Sequence, residues 1–595
     1  MNHRAYVTHA NAGRFSCSLG KMLFGFCLLW VAASVEASSP NVVLIFNDDM
    51  GFADIGCFGS EKNKTPRIDQ LAEEGRKFTD FYVASSVCTP SRATLMTGCY
   101  PRRVLGASGV FFPNKEREAG LDPRHFTIAE LLKSVGYKTM IAGKWHLGDA
   151  PKFLPTNQGF DTFYGIPYSN DMYPSRTMKY ADDCNFREGF SKHKLADLYA
   201  ATPKGKHPGV RKGNVPLMRD EECIEFPLDQ TTITRRLADE SIKFIEESVK
   251  ARKPFFVYLA NPMPHVPLYV SPEFEGKTGN GLYSDVIAEI DFNTGRVMDA
   301  LKANGVDANT LVIFTSDNGP WLIKGEHSGS AKPLRAGKGS TYEGGQRVPC
   351  IMRWPAKIPA GTVCSEIVTA MDMMPTFAAM TGAKIPADIR CQPDGHNVEK
   401  LMMGGPEEKS PYKQFYFGGN AAVRVGKWKY RQGPRYAKWG PPGSTPKKNP
   451  RETQLFNLAE DIGESNNVID QYPEVAERLS ALLPQSPNVS MVLFEPEPPH
   501  GTRYQISKDE EIEVNGGKGG EFQAVIAFAT ATGATCAVVV NGVEQEVLGF
   551  PNVKSWSKRK TGKLTLILKP GTNTIEIRNL GKRGVNFGYI DLKAK

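Results

Sequence analysis

The sequence lacks several features that would assign it directly to a functional class. Beyond residue 37 no stretch is apolar enough to cross a bilayer, so we expect no stable membrane insertion. The P-loop pattern G-x-x-x-x-G-K-S/T is absent, which excludes that kind of phosphate-binding loop. The net charge of +9 is modest for 595 residues and is not confined to one tail, so we expect no nucleic-acid partner. The composition, 41% hydrophobic and 23% charged, is that of an ordinary globular protein.

The cysteines are few and irregularly spaced. Two lie in the N-terminal segment, and Cys88 belongs to a motif described below. Export would permit disulfides, but the spacing does not pair the remaining residues, and several suit free core thiols equally well. These eight cysteines show no metal-ligand spacing: Cys57, Cys99, Cys184, Cys223, Cys350, Cys364, Cys391 and Cys536.

The N-terminal segment has the pattern of a secretory signal. Arg14 and Lys21 precede an apolar stretch at 22–33, and Val35-Glu36-Ala37 provides a small-x-small cleavage site. We therefore expect residues 1–37 to be a signal peptide and the protein to be exported, to a periplasmic, extracellular or lysosomal location. An uncleaved anchor is the alternative, although the apolar stretch is short for a membrane span.

Residues 38–404 are predicted to form an α/β domain with a mainly parallel central sheet flanked by helices. Short, nearly continuous apolar runs alternate there with helix-length amphipathic stretches, which is typical of strands buried on both faces. The predicted strands lie at 41–46, 138–142, 255–259 and 310–314. The predicted helices lie at 68–74, 127–134, 232–248 and 284–302.

The pattern changes after residue 404. Residues 405–484 predict a smaller antiparallel α+β subdomain, with strands near 414–417, 421–425, 428–431 and 455–458 and a closing helix at 474–483. Residues 485–501 are rich in proline and serine and predict a linker. Residues 502–595 contain short alternating runs separated by turn signals such as Asn541-Gly542, a pattern that predicts a C-terminal β-sandwich.

The most informative stretch is Cys88-Thr89-Pro90-Ser91-Arg92. A proline suits the first turn of a helix, because its missing N–H costs nothing there. We therefore expect Cys88 at a helix start, where free backbone N–H groups and the helix dipole favour an anion. Arg92 lies one turn further and adds a permanent positive charge. The stretch predicts a nucleophile aimed at an oxyanion.

Two predicted strands end in acidic residues. Asp48 and Asp49 follow the first strand, and Asp317 and Asn318 follow the strand at 310–314. Ligands bind at the carboxyl ends of the strands in open parallel sheets. Three carboxylates and an amide oxygen suit a hard cation, Ca²⁺ or Mg²⁺, better than zinc. Either pair alone suits a helix cap or a turn, and the presence of both pairs at strand ends favours a metal.

Basic and imidazole side chains follow other predicted strands. Lys144 and His146 follow the strand at 138–142 and are expected to point to the same side of an extended segment, one with a fixed charge and one able to transfer protons. His265 lies in a loop stiffened by prolines, and Lys338 lies between glycines that let the backbone approach a ligand. Each of these residues alone suits a surface or structural role equally well.

Six segments occur in the order in which they occur in the sulfatase family, which the chain resembles over roughly residues 40–480. Within that family, residues 165–171 look most like arylsulfatase A-type enzymes, which often have histidine where this chain has Asn170. The resemblance implies an alkaline phosphatase-type fold, and residues 502–595 are similar to β-sandwich carbohydrate-binding modules. The six segments are 47–51, the Cys88 motif, 143–148, His265, 315–319 and 337–339.

The resemblance also implies the cofactors. Cys88 would be converted to the aldehyde formylglycine by a formylglycine-generating or equivalent maturation enzyme. Ca²⁺, with Mg²⁺ as the alternative, would be held by Asp48, Asp49, Asp317, Asn318 and the modified Cys88. A hydrated aldehyde suits a hard cation better than a soft thiol does.

The mechanism that the resemblance implies begins with attack on sulfur by one hydroxyl of the formylglycine hydrate. Arg92 would hold the hydrate, and Asp317 would help to deprotonate it. The second hydroxyl would then collapse to the aldehyde and expel sulfate, with His146 as the base. The substrate-binding residues would be Lys144, His265, Lys338 and Ser169, of which His265 or Lys338 would protonate the departing alcohol.

The sequence therefore predicts a secreted sulfatase that hydrolyses sulfate monoesters on sulfated carbohydrates. Three carboxylates and three basic side chains balance in the predicted site, so a divalent cation leaves it positive and attractive to a sulfate ester. One alternative is a phosphate or phosphonate ester hydrolase, although a phosphate monoester commonly uses two metals and ligands for one are visible. Another is a non-catalytic carbohydrate-binding protein, which Trp556 and the cations at 554–560 favour.

Overall fold

The computed structural model describes most of the chain from residue 39 onwards. The described residues are 39–105, 109–113, 119–203, 209–405, 408–432, 453–486, 502–504, 511–515, 520–529, 534–541, 543–550, 560–569, 572–579 and 586–594. The predicted signal peptide, residues 487–501 of the predicted linker, and Trp556 with the cations at 554–559 lie outside them. Within the described residues, no helix combines the length and the apolar character needed to cross a membrane.

The first part of the chain alternates strands and helices. Its strands are β1 (Asn41–Asn47), β2 (Arg76–Phe78), β3 (Phe81–Tyr82), β4 (Lys138–Lys144), β5 (Thr162–Ile166), β6 (Lys179–Phe186), β7 (Leu217–Arg219), β8 (Glu222–Phe226), β9 (Phe255–Ala260), β10 (Thr310–Ser316), β11 (Cys350–Arg353), β12 (Thr362–Cys364) and β13 (Val368–Thr369). Its helices are α1 (Pro66–Glu73), α2 (Cys88–Thr97), α3 (Pro101–Leu105), α4 (Ile128–Lys133), α5 (Lys192–Ala201), α6 (Ile233–Lys250), α7 (Leu282–Ala303), α8 (Glu343–Gln346), α9 (Met373–Thr381) and α10 (Glu399–Met402).

An 11-stranded sheet organises this region, in the order β12-β2-β11-β10-β1-β9-β4-β5-β7-β8-β6. The five strands β10, β1, β9, β4 and β5 run parallel at its centre, and the antiparallel strands β11 and β7 flank them. The four predicted strands are all in the parallel centre. The predicted mixed α/β fold with a mainly parallel central sheet is confirmed.

Helices cover both faces of the sheet, because alternate residues of each central strand feed two separate cores. In β1, Val42, Leu44 and Phe46 belong to the core that α2, α4 and α9 cover. Val43 and Ile45 belong to the opposite core, which α1, α6 and α7 cover. Complete burial of such an aliphatic side chain contributes about 1.5–3 kcal/mol, so the apolar runs themselves hold the layers together.

The predicted helices form within two residues of their expected bounds, and their sequences explain why. Thr127 caps α4, where its side chain accepts a hydrogen bond from the backbone of Glu130 and the Glu130 side chain accepts one from the backbone of Thr127. In α6 the residues Ile233, Leu237 and Ile245 are buried at helical spacing, which turns one face of the helix to the sheet.

The next part of the chain forms the predicted antiparallel sheet and its closing helix. Strands β14 (Phe415–Phe417), β15 (Ala422–Val425), β16 (Trp428–Arg431) and β17 (Gln454–Asn457) pair in that order, and α11 (Pro473–Ser480) follows. Buried aromatic residues of β14, such as Phe415 and Phe417, pack against Tyr82 of β3. This contact attaches the four-stranded sheet to the separate two-stranded sheet of β3 and β13.

The C-terminal strands form two four-stranded antiparallel sheets, in the orders β18-β25-β20-β23 and β19-β24-β21-β22. The strands β18, β22 and β25 were not expected from the sequence. The side-chain amide of Gln545 in β22 donates to the carbonyl oxygen of Ile567 in β23 and accepts from its N–H, at 3.0 Å each. The two hydrogen bonds connect the edge strand of one sheet to the edge strand of the other. The strands are β18 (Thr502–Tyr504), β19 (Glu511–Asn515), β20 (Gly520–Ala529), β21 (Ala534–Val540), β22 (Val543–Phe550), β23 (Lys560–Leu568), β24 (Thr572–Asn579) and β25 (Asn586–Ala594).

A buried ionic cluster joins the small antiparallel sheet to the loop that carries Lys338. Lys429 of β16 lies 2.9 Å from carboxylate oxygens of both Glu343 and Glu464, and all three side chains are fully buried. Burial alone would raise the pKa of Glu343, but Lys429 and two nearby arginines lower it to about 2. Because the charges compensate one another out of water, removal of one member leaves another uncompensated.

We expect Lys429→Met to lower the free energy of unfolding by about 3 kcal/mol, because it leaves a buried carboxylate without its partner. Urea unfolding followed by tryptophan fluorescence measures this change. The exposed Lys427, two residues away, provides the control, and Lys427→Met is expected to change stability by less than about 0.5 kcal/mol. Equal effects of the two substitutions would contradict the assigned role of the cluster.

Candidate active site

The acidic residues that follow β1 and β10 meet at one point. The two strands are parallel neighbours, and Asn47 pairs with Ser316, so the residues that follow leave the sheet side by side. The backbone N–H of Asp49 donates to Oδ1 of Asp317 at 3.2 Å. Asp48, Asp317 and Asn318 are completely buried. Asp49 has a φ of +63°, a left-handed conformation that turns the chain sharply at this point.

These residues fit a hard divalent cation. Ligand atoms of Asp48, Asp49, Asp317 and Cys88 all lie within 4.8 Å of one another. Within the described residues, Oδ1 of Asp48 and Oδ1 of Asn318 accept no hydrogen bond, although both are buried. The Asn318 amide nitrogen donates to Asp49 at 2.7 Å, which fixes the amide so that its oxygen is left for a ligand. Oxygen donors of this kind suit Ca²⁺ or Mg²⁺.

Three basic side chains compensate the three carboxylates. Lys144 forms a short ion pair with Asp48, Lys338 contacts both oxygens of Asp49 at 2.6 and 2.8 Å, and Arg92 contacts Asp317 from Nε and Nη2 at 3.0 and 2.8 Å. The three pairs link α2, β4 and the Lys338 loop to the ends of β1 and β10.

The net pKa shifts of Asp48 and Asp317 have opposite signs, because neighbouring charges act differently on the two buried carboxylates. Burial alone would raise the pKa of Asp48, but Lys144 and the other cations hold it well below its usual range. Burial and the nearby Asp48 carboxylate raise the pKa of Asp317 to about 7. A divalent cation at this point would favour the ionised form of both groups.

Cys88 is the first residue of α2, and Pro90 falls in the first turn, as the sequence predicted. The thiol is 2% exposed, and Lys338 Nζ lies 3.4 Å from its sulfur. Burial, together with the Asp48 carboxylate, raises the pKa of Cys88, so the thiolate form is disfavoured. The groups that the chain itself provides therefore favour the protonated thiol.

Arg92 lies one turn further along α2 and is completely buried. In addition to Asp317, its guanidinium donates to the carbonyl oxygen of Lys144 at 2.8 Å and to the hydroxyl of Tyr258 at 3.4 Å. It therefore holds the ends of β4 and β10 against the helix that begins with Cys88. Tyr258, in the middle of β9, was not singled out in the sequence because it lies within an apolar run.

Lys144 and His146 have different hydrogen-bond partners, and the segment that carries them is not extended as expected. Strand β4 ends at Lys144, whose Nζ reaches Ser169 Oγ at 3.3 Å, whereas His146 has a φ of +60° and its Nε2 lies 3.1 Å from the carbonyl oxygen of Phe111. The backbone carbonyl of His146 accepts a hydrogen bond from Thr89 Oγ1 at 3.1 Å, next to Cys88. The left-handed turn explains the difference, since alternation requires an extended backbone.

The imidazole of His146 is arranged to accept a proton. A carbonyl oxygen only accepts hydrogen bonds, so Nε2 carries the ring proton and Nδ1 is left with its lone pair. Nδ1 has no hydrogen-bond partner within the described residues. Burial, with the charge of Lys144, lowers the pKa of His146 well below its usual value, which keeps the ring neutral.

His265 and Lys338 both contact Asp49. The His265 Nε2 is 3.7 Å from Asp49 Oδ2, and its Nδ1 is 3.4 Å from Ser169 Oγ. The ring of Trp321 lies 5.3 Å from the His265 ring, and Lys338 Nζ is 4.6 Å from the Trp321 ring centre. The sequence analysis missed Trp321, although an aromatic residue directly after the acidic end of β10 was an available signal.

The structure brings the predicted metal ligands and most other predicted site residues into one buried cluster at the carboxyl ends of the parallel strands. His146 adjoins the cluster through the residue that follows Cys88. The members of the cluster are Asp48, Asp49, Cys88, Arg92, Lys144, Ser169, His265, Asp317, Asn318 and Lys338.

Comparison with known proteins agrees with this arrangement. The family profile described as "Sulfatase" matches residues 40–383, and that described as "N-sulphoglucosamine sulphohydrolase, C-terminal" matches residues 337–487. Bovine arylsulfatase A is 36% identical over 471 residues, covering 76% of this chain and 88% of the relative. Dog N-acetylgalactosamine-6-sulfatase is 32% identical over 495 residues, covering 76% and 87%.

The chain is also similar to solved structures of other proteins. Ps i-CgsB, in complex with k-i-k-neocarrahexaose, is 31% identical with a TM-score of 0.61 and covers 76% of this chain and 94% of its own. PsFucS1 sulfatase from Pseudoalteromonas sp. is 28% identical with a TM-score of 0.59 and covers 76% and 92%. The fold belongs to the mixed α/β class, and the charged groups at the ends of its strands are those of an enzyme active site. The chain belongs to the sulfatase family and is accordingly a sulfuric ester hydrolase.

We expect Asp317→Asn to weaken binding of a divalent cation by about tenfold or more, because a charged ligand is replaced by a neutral one. Ca²⁺ and Mg²⁺ contents after exhaustive desalting, measured by atomic emission, provide the test. Asp299→Asn is the control, since Asp299 is exposed and pairs with Arg67 on the surface. An unchanged metal content in Asp317→Asn would show that this carboxylate is not a ligand.

Proposed function

We propose that this sulfatase is exported and removes sulfate from sulfated carbohydrates, using formylglycine made from Cys88 and a bound Ca²⁺. The observation that carries the proposal is the position of Cys88. It starts a helix beside a buried group of oxygen ligands and is surrounded by three cationic side chains. A maturation enzyme that oxidises Cys88 is the partner that this proposal requires.

Sulfate binding is assigned to the cationic and polar groups around Cys88. Lys144, Lys338 and His265 contact the carboxylates from different directions, and Ser169 lies between Lys144 and His265. A sulfate ester carries one negative charge, so fixed positive groups aimed at its oxygens favour it over a neutral substrate. Their nearly complete burial strengthens the attraction, because little water screens it.

The reactive groups are assigned to the buried cluster at the ends of the parallel strands. Formylglycine supplies, in its hydrated form, the hydroxyl that accepts the sulfuryl group, and a divalent cation held by Asp48, Asp49, Asp317 and Asn318 supplies positive charge at the sulfate oxygens. Arg92 orients residue 88 from the next turn of α2 and fixes Asp317 as a proton acceptor.

Proton transfers are assigned to the histidines and Lys338. His265 or Lys338 protonates the alcohol as it departs, since both contact Asp49 beside Cys88. His146 takes up a proton at Nδ1 when sulfate is released, because Nε2 is occupied by the Phe111 carbonyl. Correctly placed acids and bases of this kind contribute about 10²–10⁴-fold each.

Several observations support a carbohydrate substrate in an exported setting. The relatives include an N-acetylgalactosamine-6-sulfatase, and one structural neighbour was solved with a neocarrahexaose. Residues 1–37 have the pattern of a signal peptide. We assign the catalytic domain to residues 38–404, its antiparallel subdomain to 405–484, and an accessory sandwich module to 502–595.

We expect Cys88→Ala to lower the turnover number for 4-nitrophenyl sulfate by about 10⁴-fold or more, because alanine cannot be converted to an aldehyde. Absorbance of released nitrophenol measures the rate, and mass spectrometry of the peptide that contains residue 88 detects the aldehyde in the parent protein. Cys57→Ser, outside the site, is expected to retain activity within about twofold. Full turnover by Cys88→Ala would refute the proposal.

We expect the enzyme to release sulfate from defined sulfated oligosaccharides with a kcat/KM at least about 100-fold above that for the matching phosphorylated sugars. The physical reason is that the site offers ligands for one cation, whereas the dianionic phosphate monoester commonly uses two. Ion chromatography of released sulfate and phosphate measures both rates. A preference for the phosphorylated sugars would favour the phosphate ester alternative.

A further inference from the structure

The helix that begins with Cys88 is followed directly by a second cysteine, at the end of the helix furthest from the site. Helix α2 ends at Thr97, and Gly98 caps it in the left-handed conformation, with a φ of +70°. A cap of this kind turns the chain out of the helix direction. Cys99 therefore leaves the helix, and its side chain is completely buried.

Hydrogen bonds hold the segment at 391–395 against this turn. The carbonyl oxygen of Gly98 accepts from the backbone N–H of Asp394 at 2.8 Å and from that of Gly395 at 3.1 Å. The backbone N–H of Tyr100 donates to Asp394 Oδ2 at 2.8 Å. Because the residues on both sides of Cys99 are anchored in this way, its side chain is fixed against a segment that lies far away in the sequence.

The thiols of Cys99 and Cys391 meet at one carbonyl oxygen. Cys99 Sγ lies 3.3 Å from the carbonyl oxygen of Gln392, and Cys391 Sγ lies 3.7 Å from the same atom. The two thiols also form a hydrogen bond with each other. A disulfide needs Cα atoms within about 7 Å and side chains that point towards each other. Two thiols already in contact satisfy this requirement with little movement of the backbone.

A separate part of the large sheet brings a second pair of thiols together. In the parallel pair of β6 and β8, Cys223 lies opposite Tyr180, and a register shift follows before Asn185. Across this irregularity the thiols of Cys184 and Cys223 form a hydrogen bond with each other. Cys223 is completely buried, whereas Cys184 is only partly buried.

Cys350 and Cys364 are close in the sheet but cannot pair. Both lie opposite Phe78 of β2, Cys350 on the side of β11 and Cys364 on the side of β12. Two strand spacings therefore separate their Cα atoms, about 9–10 Å, which exceeds the span of a disulfide. Both side chains are buried, as is that of Cys99. Burial alone thus does not decide which thiols can pair.

We propose that Cys99 pairs with Cys391, and Cys184 with Cys223, in two disulfide bonds of the exported protein. This inference rests on the export that the proposed function includes, because an exported protein meets an oxidising compartment. All four are free thiols in the structure.

The oxidation proceeds by thiol–disulfide exchange. In each pair two S–H bonds break and one S–S bond forms, so the pair gives up two protons and two electrons. The oxidant is an exchangeable disulfide, either of an oxidoreductase or of oxidised glutathione. Its own S–S bond breaks, and it takes up the two electrons and two protons as two thiols.

The bond between Cys99 and Cys391 joins residues that are 292 positions apart. A link between such distant residues restricts the unfolded chain more than a short link does, and so favours the folded state. It also ties the end of α2 to the segment that precedes α10. The helix that carries Cys88 and Arg92 is then fixed covalently at its far end.

The test is mass spectrometry of the full chain, synthesised in vitro in a glutathione buffer at about −190 mV, the potential of an oxidising secretory compartment. The oxidant is then present while the chain folds, and no export is needed. The protein is denatured with N-ethylmaleimide, which labels every free thiol, and is digested with trypsin without reduction. Cleavage after lysine and arginine places each of the six cysteines considered above in a different peptide.

We expect peptide 93–102 to be linked to 391–400, and peptide 180–187 to 220–235. Each linked pair is lighter by two hydrogen atoms than its two thiol peptides together and separates on reduction. Labelled Cys99 and Cys391 would overturn the first bond, and labelled Cys184 and Cys223 the second. The control is that Cys350 and Cys364 are labelled. A bond between these two would show that contact in the fold does not decide the pairing, and would overturn the inference.

Thermal unfolding provides a second measurement. We expect the midpoint to be about 5 °C or more higher for protein made in oxidised than in reduced glutathione. This difference should disappear when all four paired cysteines are replaced, whatever the midpoint of that variant, and it should persist in the control Cys350→Ala. A difference that survives the fourfold replacement would contradict the inference. The four substitutions are Cys99→Ala, Cys184→Ala, Cys223→Ala and Cys391→Ala.

Neither measurement uses sulfatase activity, so the two proposals fail separately. Free thiols at the four positions would leave the catalytic assignment in place. Loss of the catalytic assignment, through full turnover by Cys88→Ala, would leave the disulfides in place.

Discussion

The in-register parallel pairing of β1 with β10 is the constraint on which the site depends. It places Asp48 and Asp317 next to each other in a position that water does not reach. Two adjacent buried carboxylates repel each other, so the fold must supply positive charge at this point. The packing of the apolar residues of the two strands stabilises the pairing. It offsets the free energy that burial of the two carboxylates costs.

The remaining elements of the site supply the positive charge that these carboxylates require. Helix α2 brings Arg92, strand β4 brings Lys144, and the loop after β10 returns with Lys338, each paired with a different carboxylate. A substrate sulfate would compete for the same cations. The ion pairs therefore keep basic groups in place near the position where an anion is needed, and a bound metal would release them from the carboxylates.

Much of this arrangement could be predicted from the sequence, because apolar runs identify buried parallel strands and chemistry collects at their ends. The orientation of His146 could not, since one left-handed residue reverses the expected alternation. Nor could β22, where glutamates interrupt the apolar pattern and pairing with β21 decides the structure. The contact between Glu343 and Lys429 joins residues distant in sequence, which local patterns do not report.

The burial of Cys88 has a consequence for the order of events in the cell. A thiol that is 2% exposed, with Lys338 Nζ 3.4 Å from its sulfur, cannot enter the catalytic cleft of another enzyme. The residues that cover it are synthesised long after it, because they lie much later in the chain. The proposed oxidation of Cys88 would therefore have to take place while the polypeptide is still unfolded, and slow folding would lengthen the time available for it.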